Sequence, residues 1–280
     1  MSIREQVEDA IFLAQNQRYI GALTNLMLAV AASSRKTFPD GTKSLEVPFE
    51  KMGDREAFTL FLGGRIRKIL FGDFGGTETG NSGISVGFKG KQYDMAYILY
   101  KFYRCELVHS GELPEDIEFQ PPQTSENSGL SVSNCGLSVS ISSGDKMVLD
   151  YGWIDLLVNS VVNARCNGDE FGINHYELVP NDGVDEQDFA QRTVSQYGIT
   201  PGRFEILKHA VRRISPNVIT KCNDTEVSKH FSELVRLGEI NGGALTGLSS
   251  YNLSDRSGVI QPKGIEILRR IANSYQIIKV

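Results

Sequence analysis

The chain has 280 residues, 40% of them hydrophobic and 22% charged, with a net charge of −5. This is an ordinary globular composition, long enough for one large domain or two average ones. No apolar run reaches the ~18 residues that span a bilayer, and the polar, acidic start Met1–Glu8 lacks the basic region and apolar core of a signal peptide, so no membrane partner and a cytoplasmic location are expected.

Residues 3–15 and 17–36 read as two helices. Val7, Ile11 and Ala14 form the stripe of the first, and Leu23, Leu26, Met27 and Val30 that of the second. Phe38-Pro39-Asp40-Gly41 is a turn. A third helix runs from Asp54, placed as its cap, to Phe71, with Phe58, Phe61, Leu62, Ile66, Ile69 and Leu70 apolar. The glycine-rich stretch Gly72 to Gly83 matches neither G-x-x-x-x-G-K-[ST] nor G-x-G-x-x-G and reads as a connector. A long helix is expected from about Lys91 to Ser110, with Met95, Ile98, Leu99 and Phe102 buried. Tyr93, Tyr97, Tyr100 and Tyr103 surround that stripe, and Gly111 sits at the left-handed stop.

The polar stretch Gln120 to Gly129 reads as a linker. The period then changes to two: Leu130, Val132, Leu137, Val139 and Ile141 alternate with serines. Lys146 to Leu149 follows the turn Ser143-Gly144-Asp145, giving a small β insert. Asp150 to Asn167 returns to helix. A second module is expected from about residue 185, with helices at 185–197, 202–214 and Asp224 to Leu237. Ile240–Gly243 and Tyr251–Ile260 read as strand, turn and strand, and a closing helix runs from Pro262 through Tyr275. Residues 200–280 carry 12 Lys+Arg against 7 Asp+Glu, while the remainder carries 17 against 27, so the two halves suit different partners.

Chemistry-bearing residues are sparse. Cys105, Cys135, Cys166 and Cys222 are far apart, with no C-x2-C pair and no histidine at ligand spacing. Neither a metal site nor a disulfide framework is therefore expected, and no cofactor motif occurs. His175 sits in a loop with no matching acid and nucleophile, and His209 and His230 lie among basic residues of the C-terminal helices. What stands out is Tyr103-Arg104-Cys105-Glu106-Leu107-Val108-His109-Ser110-Gly111. It sets a permanent cation and a near-neutral proton carrier five residues apart at a helix end. The bland alternative is that both simply complement the helix dipole.

With its two leading helices, the later helix closing on Arg104-x4-His109, and the helix at 150–167, the region 3–165 resembles the HEPN superfamily. That resemblance implies a helical bundle and, in many members, a metal-independent ribonuclease working as a homodimer. Arg104 and His109 would then be catalytic, with RNA as substrate. Glu106 could orient them or instead pair with Arg104. Five residues of straight helix turn about 500°, leaving the two side chains ~140° apart. Convergence therefore needs a loosened helix end or a second chain.

The C-terminal order of helices, wing and closing helix resembles a winged helix-turn-helix. Lys229, His230 and Arg236 would face outward from its third helix, and Arg256 would lie near the wing tip, at positions suited to phosphate contact on duplex DNA. A protein partner is the alternative occupant. The expectation is thus a mainly α protein: a HEPN-like bundle with a small β-hairpin insert over 1–170, and a winged-helix-like domain over 185–280. Its plan suggests a ribonuclease of bacterial defence or toxin systems, the rival being a non-catalytic dimeric DNA-binding regulator.

Overall fold

The computed structural model describes residues 1–71, 79–122, 129–134, 137–144 and 146–280. Most of the Gly72–Gly83 connector and of the Gln120–Gly129 linker, together with Cys135 and Asp145, lies outside the described residues. The protein is mainly α-helical with small sheets, and its contacts divide it into Met1–Ile173 and Asn174–Val280.

In the first unit, α1 (Ile3–Gln15) opens on a reciprocal cap between Ser2 and Glu5. Its buried stripe is Ile3, Val7 and Ala10. Ile11, expected on that stripe, is 38% exposed because it lies ~100° around the helix from Ala10. Helix α2 (Tyr19–Thr37) buries Leu23, Leu26, Met27 and Val30 as expected, and packs on α1, α3 (Asp54–Phe71) and the later helix α6 (Gly152–Val162). Asp54 lies within the first turn of α3 and is taken by Arg35, whose Nε donates to it at 2.9 Å. The loop before α3 is tied down by the buried Glu56 carboxylate, which accepts from Ser44 Oγ at 2.6 Å and from the amides of Leu45 and Glu46.

Residues 91–94, expected as helix, are instead strand. β1 (Ser85–Phe88) and β2 (Lys91–Asp94) form a hairpin across Lys89-Gly90, both at positive φ (50° and 74°), as a two-residue hairpin loop requires. Helix starts only at α4 (Met95–Ile98). Asp94 caps it through Ala96 N (2.9 Å), while its other oxygen accepts from Ser82 N and Oγ at 2.9 and 2.8 Å. The chain then widens into a π-helical segment, Leu99–Arg104, and returns to α in α5 (Cys105–His109). Gly111, at φ +77°, ends it in the left-handed turn foreseen from sequence.

The β insert has four strands, β3 (Ile117–Gln120), β4 (Gly129–Asn134), β5 (Leu137–Ser143) and β6 (Met147–Asp150), in the order β3-β6-β5-β4. β3, missed in the sequence, runs parallel to β6. Val139, Ile141, Met147 and Leu149 point into the core, as the alternation predicts. α6 (Gly152–Val162) packs on β5 and stops earlier than expected. There the buried Arg65 side chain takes its last carbonyls, Ser160 O at 3.2 Å and Asn163 O at 2.9 Å. A 3-10 turn (Arg165–Asn167) and α7 (Gly168–Phe171) follow.

The second unit starts before residue 185, because β7 (Tyr176–Pro180) pairs with the final strand β8 (Tyr275–Lys279). Between them lie α8 (Glu186–Tyr197), α9 (Pro201–Ile214), the unforeseen α10 (Pro216–Lys221), α11 (Asp224–Arg236), α12 (Gly242–Ser249) and α13 (Pro262–Ser274). The closing helix therefore ends at Ser274, and Tyr275 already belongs to β8. Two expected strands are corrected. Residues 242–249 form a helix because Asn241 caps Ala244 N at 2.9 Å and Leu245 and Leu248 bury on one face. Tyr251–Ile260 is a turn closed by one bridge, Ser254 to Ile260, with Asp255 accepting from Ser257 N, Ser257 Oγ and Val259 N.

Glu239 gives this unit an acid-sensitive contact. His209 Nε2 lies 3.6 Å away, and Arg213 grips the carboxylate through Nε and Nη2. Together they hold Glu239 well below the usual carboxylate range, at about 2. Burial pushes His209 below its ordinary value. A carboxylate depressed on folding stabilises the fold above its unfolded value of ~4.3 and loses that contribution as pH falls toward 2. Glu239→Gln should therefore lower the melting temperature at pH 7. That deficit should shrink steadily between about pH 5 and pH 2 in melts of the full chain; a constant deficit would remove the argument.

Candidate functional site

Arg104 is the last residue of the π-helical segment, whose closing bond runs from Cys105 N to Tyr100 O. Its guanidinium carbon lies 5.4 Å from the centre of the Tyr100 ring, and its Nε is buried with no hydrogen-bond partner. No ion pair of Arg104 is formed among the described residues. The carboxylate whose charge reaches Tyr100, Asp54, is engaged by Arg35 instead. Burial pushes the Tyr100 phenol above its ordinary value, and the neighbouring Cys105 thiol adds to this. The ring beneath Arg104 is therefore a neutral phenol.

His109 is exposed at the last turn of α5, and Glu106 is half-buried one turn before it. Of the two uses foreseen for Glu106, pairing with Arg104 is not formed; nor does its side chain hydrogen-bond His109 among the described residues. Residues 105–109 are regular α-helix. The loosening falls before Arg104 and after His109, not between them. Arg104 and His109 of one chain therefore stay about 140° apart around the axis. Tyr103 is fully buried, with its hydroxyl donating to Glu118 O at 3.1 Å, so it is a core residue. What sequence reasoning missed is Tyr100 as the bed of Arg104; the signal available was their four-residue spacing.

In the second unit, Lys229 and His230 are exposed on α11, and Arg256 is exposed in the Asp255 turn. Arg236 is not free: Glu233 holds it bidentately, with Nε–Oε2 at 2.7 Å and Nη2–Oε1 at 2.5 Å. Arg213, Arg269 and Lys208 are likewise taken by Glu239, Asp224 and Glu186. α12, the helix after the α11 turn, carries no charged residue and exposes Gly242, Gly243 and Thr246. Cys105, Cys166 and Cys222 are free thiols. Among the described residues, no group of three or more His, Cys, Asp or Glu side chains is gathered for a metal, and no helix is long and apolar enough to cross a membrane.

No curated protein and no solved structure is significantly similar to the chain. The family model of Rv1289 matches residues 2–189, which takes in the whole helical unit that carries Arg104 and His109, and the chain belongs to that family.

Proposed function

We propose that the first unit is a HEPN-type endoribonuclease that cleaves single-stranded RNA as a homodimer. The observation that carries this reading is Arg104: a half-buried, permanently charged guanidinium that forms no ion pair among the described residues and whose Nε has no hydrogen-bond partner there. An unpaired buried donor calls for an explanation, and a phosphate oxygen would supply one for Arg104. An exposed histidine five residues on supplies the proton carrier.

The chemistry follows from the substrate. The 2′-OH of RNA attacks the adjacent phosphorus, and a neutral His109 imidazole takes its proton. Arg104 stabilises the added negative charge on the five-coordinate phosphorus through two parallel N–H donors. The P–O5′ bond then breaks, and an imidazolium gives its proton to the departing oxygen. The products are a 2′,3′-cyclic phosphate and a 5′-OH, and DNA resists because it lacks the nucleophile. Since one helix points Arg104 and His109 in different directions, the cleft combines Arg104 of one protomer with His109 of its partner across a two-fold axis.

The second unit serves better as a protein-binding module than as a duplex reader. Its α12 offers no cation to a phosphate, and Arg236 is held by Glu233. A setting in bacterial defence or a toxin system agrees with a ribonuclease held by such a partner.

Incubation of the full chain with end-labelled single-stranded RNA in EDTA, beside His109→Ala, tests the reading. Expected is cleavage to a cyclic phosphate by the wild type and a loss of ~10²–10⁴-fold in the variant, the range for a general acid–base group. Equal rates in the two proteins, or DNA cut as fast as RNA, would reject it.

A further inference from the structure

We infer that Tyr100 is the positioning residue of Arg104: its ring is a fixed bed that aims the guanidinium outward at a phosphate. The inference rests on the ribonuclease reading for its reaction, but its geometry stands alone. Tyr100 and Arg104 lie four residues apart within one π-helical segment, with the guanidinium carbon 5.4 Å from the ring centre. The ring is itself wedged, tilted at 60° against Phe58 with centroids 5.3 Å apart, and Phe58 is 1% exposed in the core of α3. The bed therefore moves only if the core moves.

A guanidinium in contact with an aromatic face is held without a counter-anion, because the ring quadrupole attracts the cation but carries no net charge. A carboxylate in the same place would hold Arg104 as firmly and cancel the charge that a phosphate needs. The nearby carboxylate, Asp54, is kept from that role by Arg35. With Nε buried and unpartnered against the helix, the donors left to meet a ligand are those at the far end of the fork. Such a site selects a phosphodiester oxygen pair presented edge-on, and it should respond steeply to small changes in the bed.

Two variants separate the bed from ordinary packing. Tyr100→Phe keeps the ring and removes the hydroxyl; Tyr100→Leu keeps apolar bulk and removes the π face. Kinetics on single-stranded RNA should show Tyr100→Phe within about twofold of wild type. Tyr100→Leu should lose ~10–100-fold in kcat/KM. Anisotropy with a DNA oligonucleotide of the same sequence, which the reaction cannot consume, is the second readout. Its affinity should fall in Tyr100→Leu and in Arg104→Met alike, with no further fall in the double variant.

The outcomes divide cleanly. If wild type and His109→Ala are equally inactive on RNA, the ribonuclease reading fails, and the oligonucleotide cycle still judges Tyr100. The inference is overturned if Tyr100→Leu matches wild type, if Tyr100→Phe falls as far as Tyr100→Leu, if the losses in the double variant add, or if the wild type binds no oligonucleotide.

Discussion

Gly63→Ala should lower the stability of the first unit by about 3 kcal/mol or more, toward the upper end for overpacking. Gly63 lies in the middle of α3, where the segment after Thr79 crosses directly over the helix. A methyl group there would land inside contact distance of the Gly80 carbonyl oxygen and at 3.0 Å from Asn81 C and Ser82 N. All three are backbone atoms, so no side-chain rotation relieves the clash. Relief would require the crossing segment to lift, breaking the Gly80 N–H to Leu60 O bond (2.8 Å) and disturbing Ser82, which Asp94 holds at the start of α4. Gly202→Ala is the control: it is also helical, but nothing lies within 4 Å of its added carbon. Thermal melts should show a fall of several degrees for the first and none for the second. Equal melting temperatures would show that the crossing segment yields freely.

Arg104→Met should move stability and activity in opposite directions. Methionine keeps the aliphatic stem while removing a charge and a buried donor that has no acceptor. The melting temperature should stay level or rise. On the proposed ribonuclease reading, RNA cleavage should fall by ~10²–10³-fold, the scale for removing a donor that stabilises transition-state charge. Arg104→Lys should restore little, because a single ammonium cannot replace the planar fork. A drop in melting temperature with unchanged cleavage would assign Arg104 to the scaffold.

The helices were legible where one stripe dominates. Leu23, Leu26, Met27 and Val30 in α2, and Val227, Phe231 and Leu234 in α11, repeat at three and four residues and are buried. The missed elements lack a local signal. β7 and β8 pair Tyr176 with Lys279, about a hundred residues apart, and Lys91–Asp94 has no apolar alternation to mark it as strand. Gly242-Gly243 reads as a turn because glycine is a poor helix former; the Asn241 cap and the burial of Leu245 and Leu248 outweigh that cost. At the candidate site, the identities of Arg104 and His109 could be read from the sequence. The widened turn before Arg104 and its missing partner could not, since no local spacing marks either.

The widened turn has a consequence for how this helix is phased. A bond from Cys105 N to Tyr100 O encloses one residue more than an α-helical bond. Everything downstream is thereby rotated by roughly one residue's share, about 100°, relative to an unbroken helix. The stripe that buries Met95, Ile98 and Leu99 and the surface that carries Arg104 and His109 thus follow separate counts. Deleting one residue such as Lys101 would leave Arg104 and His109 in the chain yet swing both to other directions. In this fold the direction of the site is encoded in a length, not in a residue.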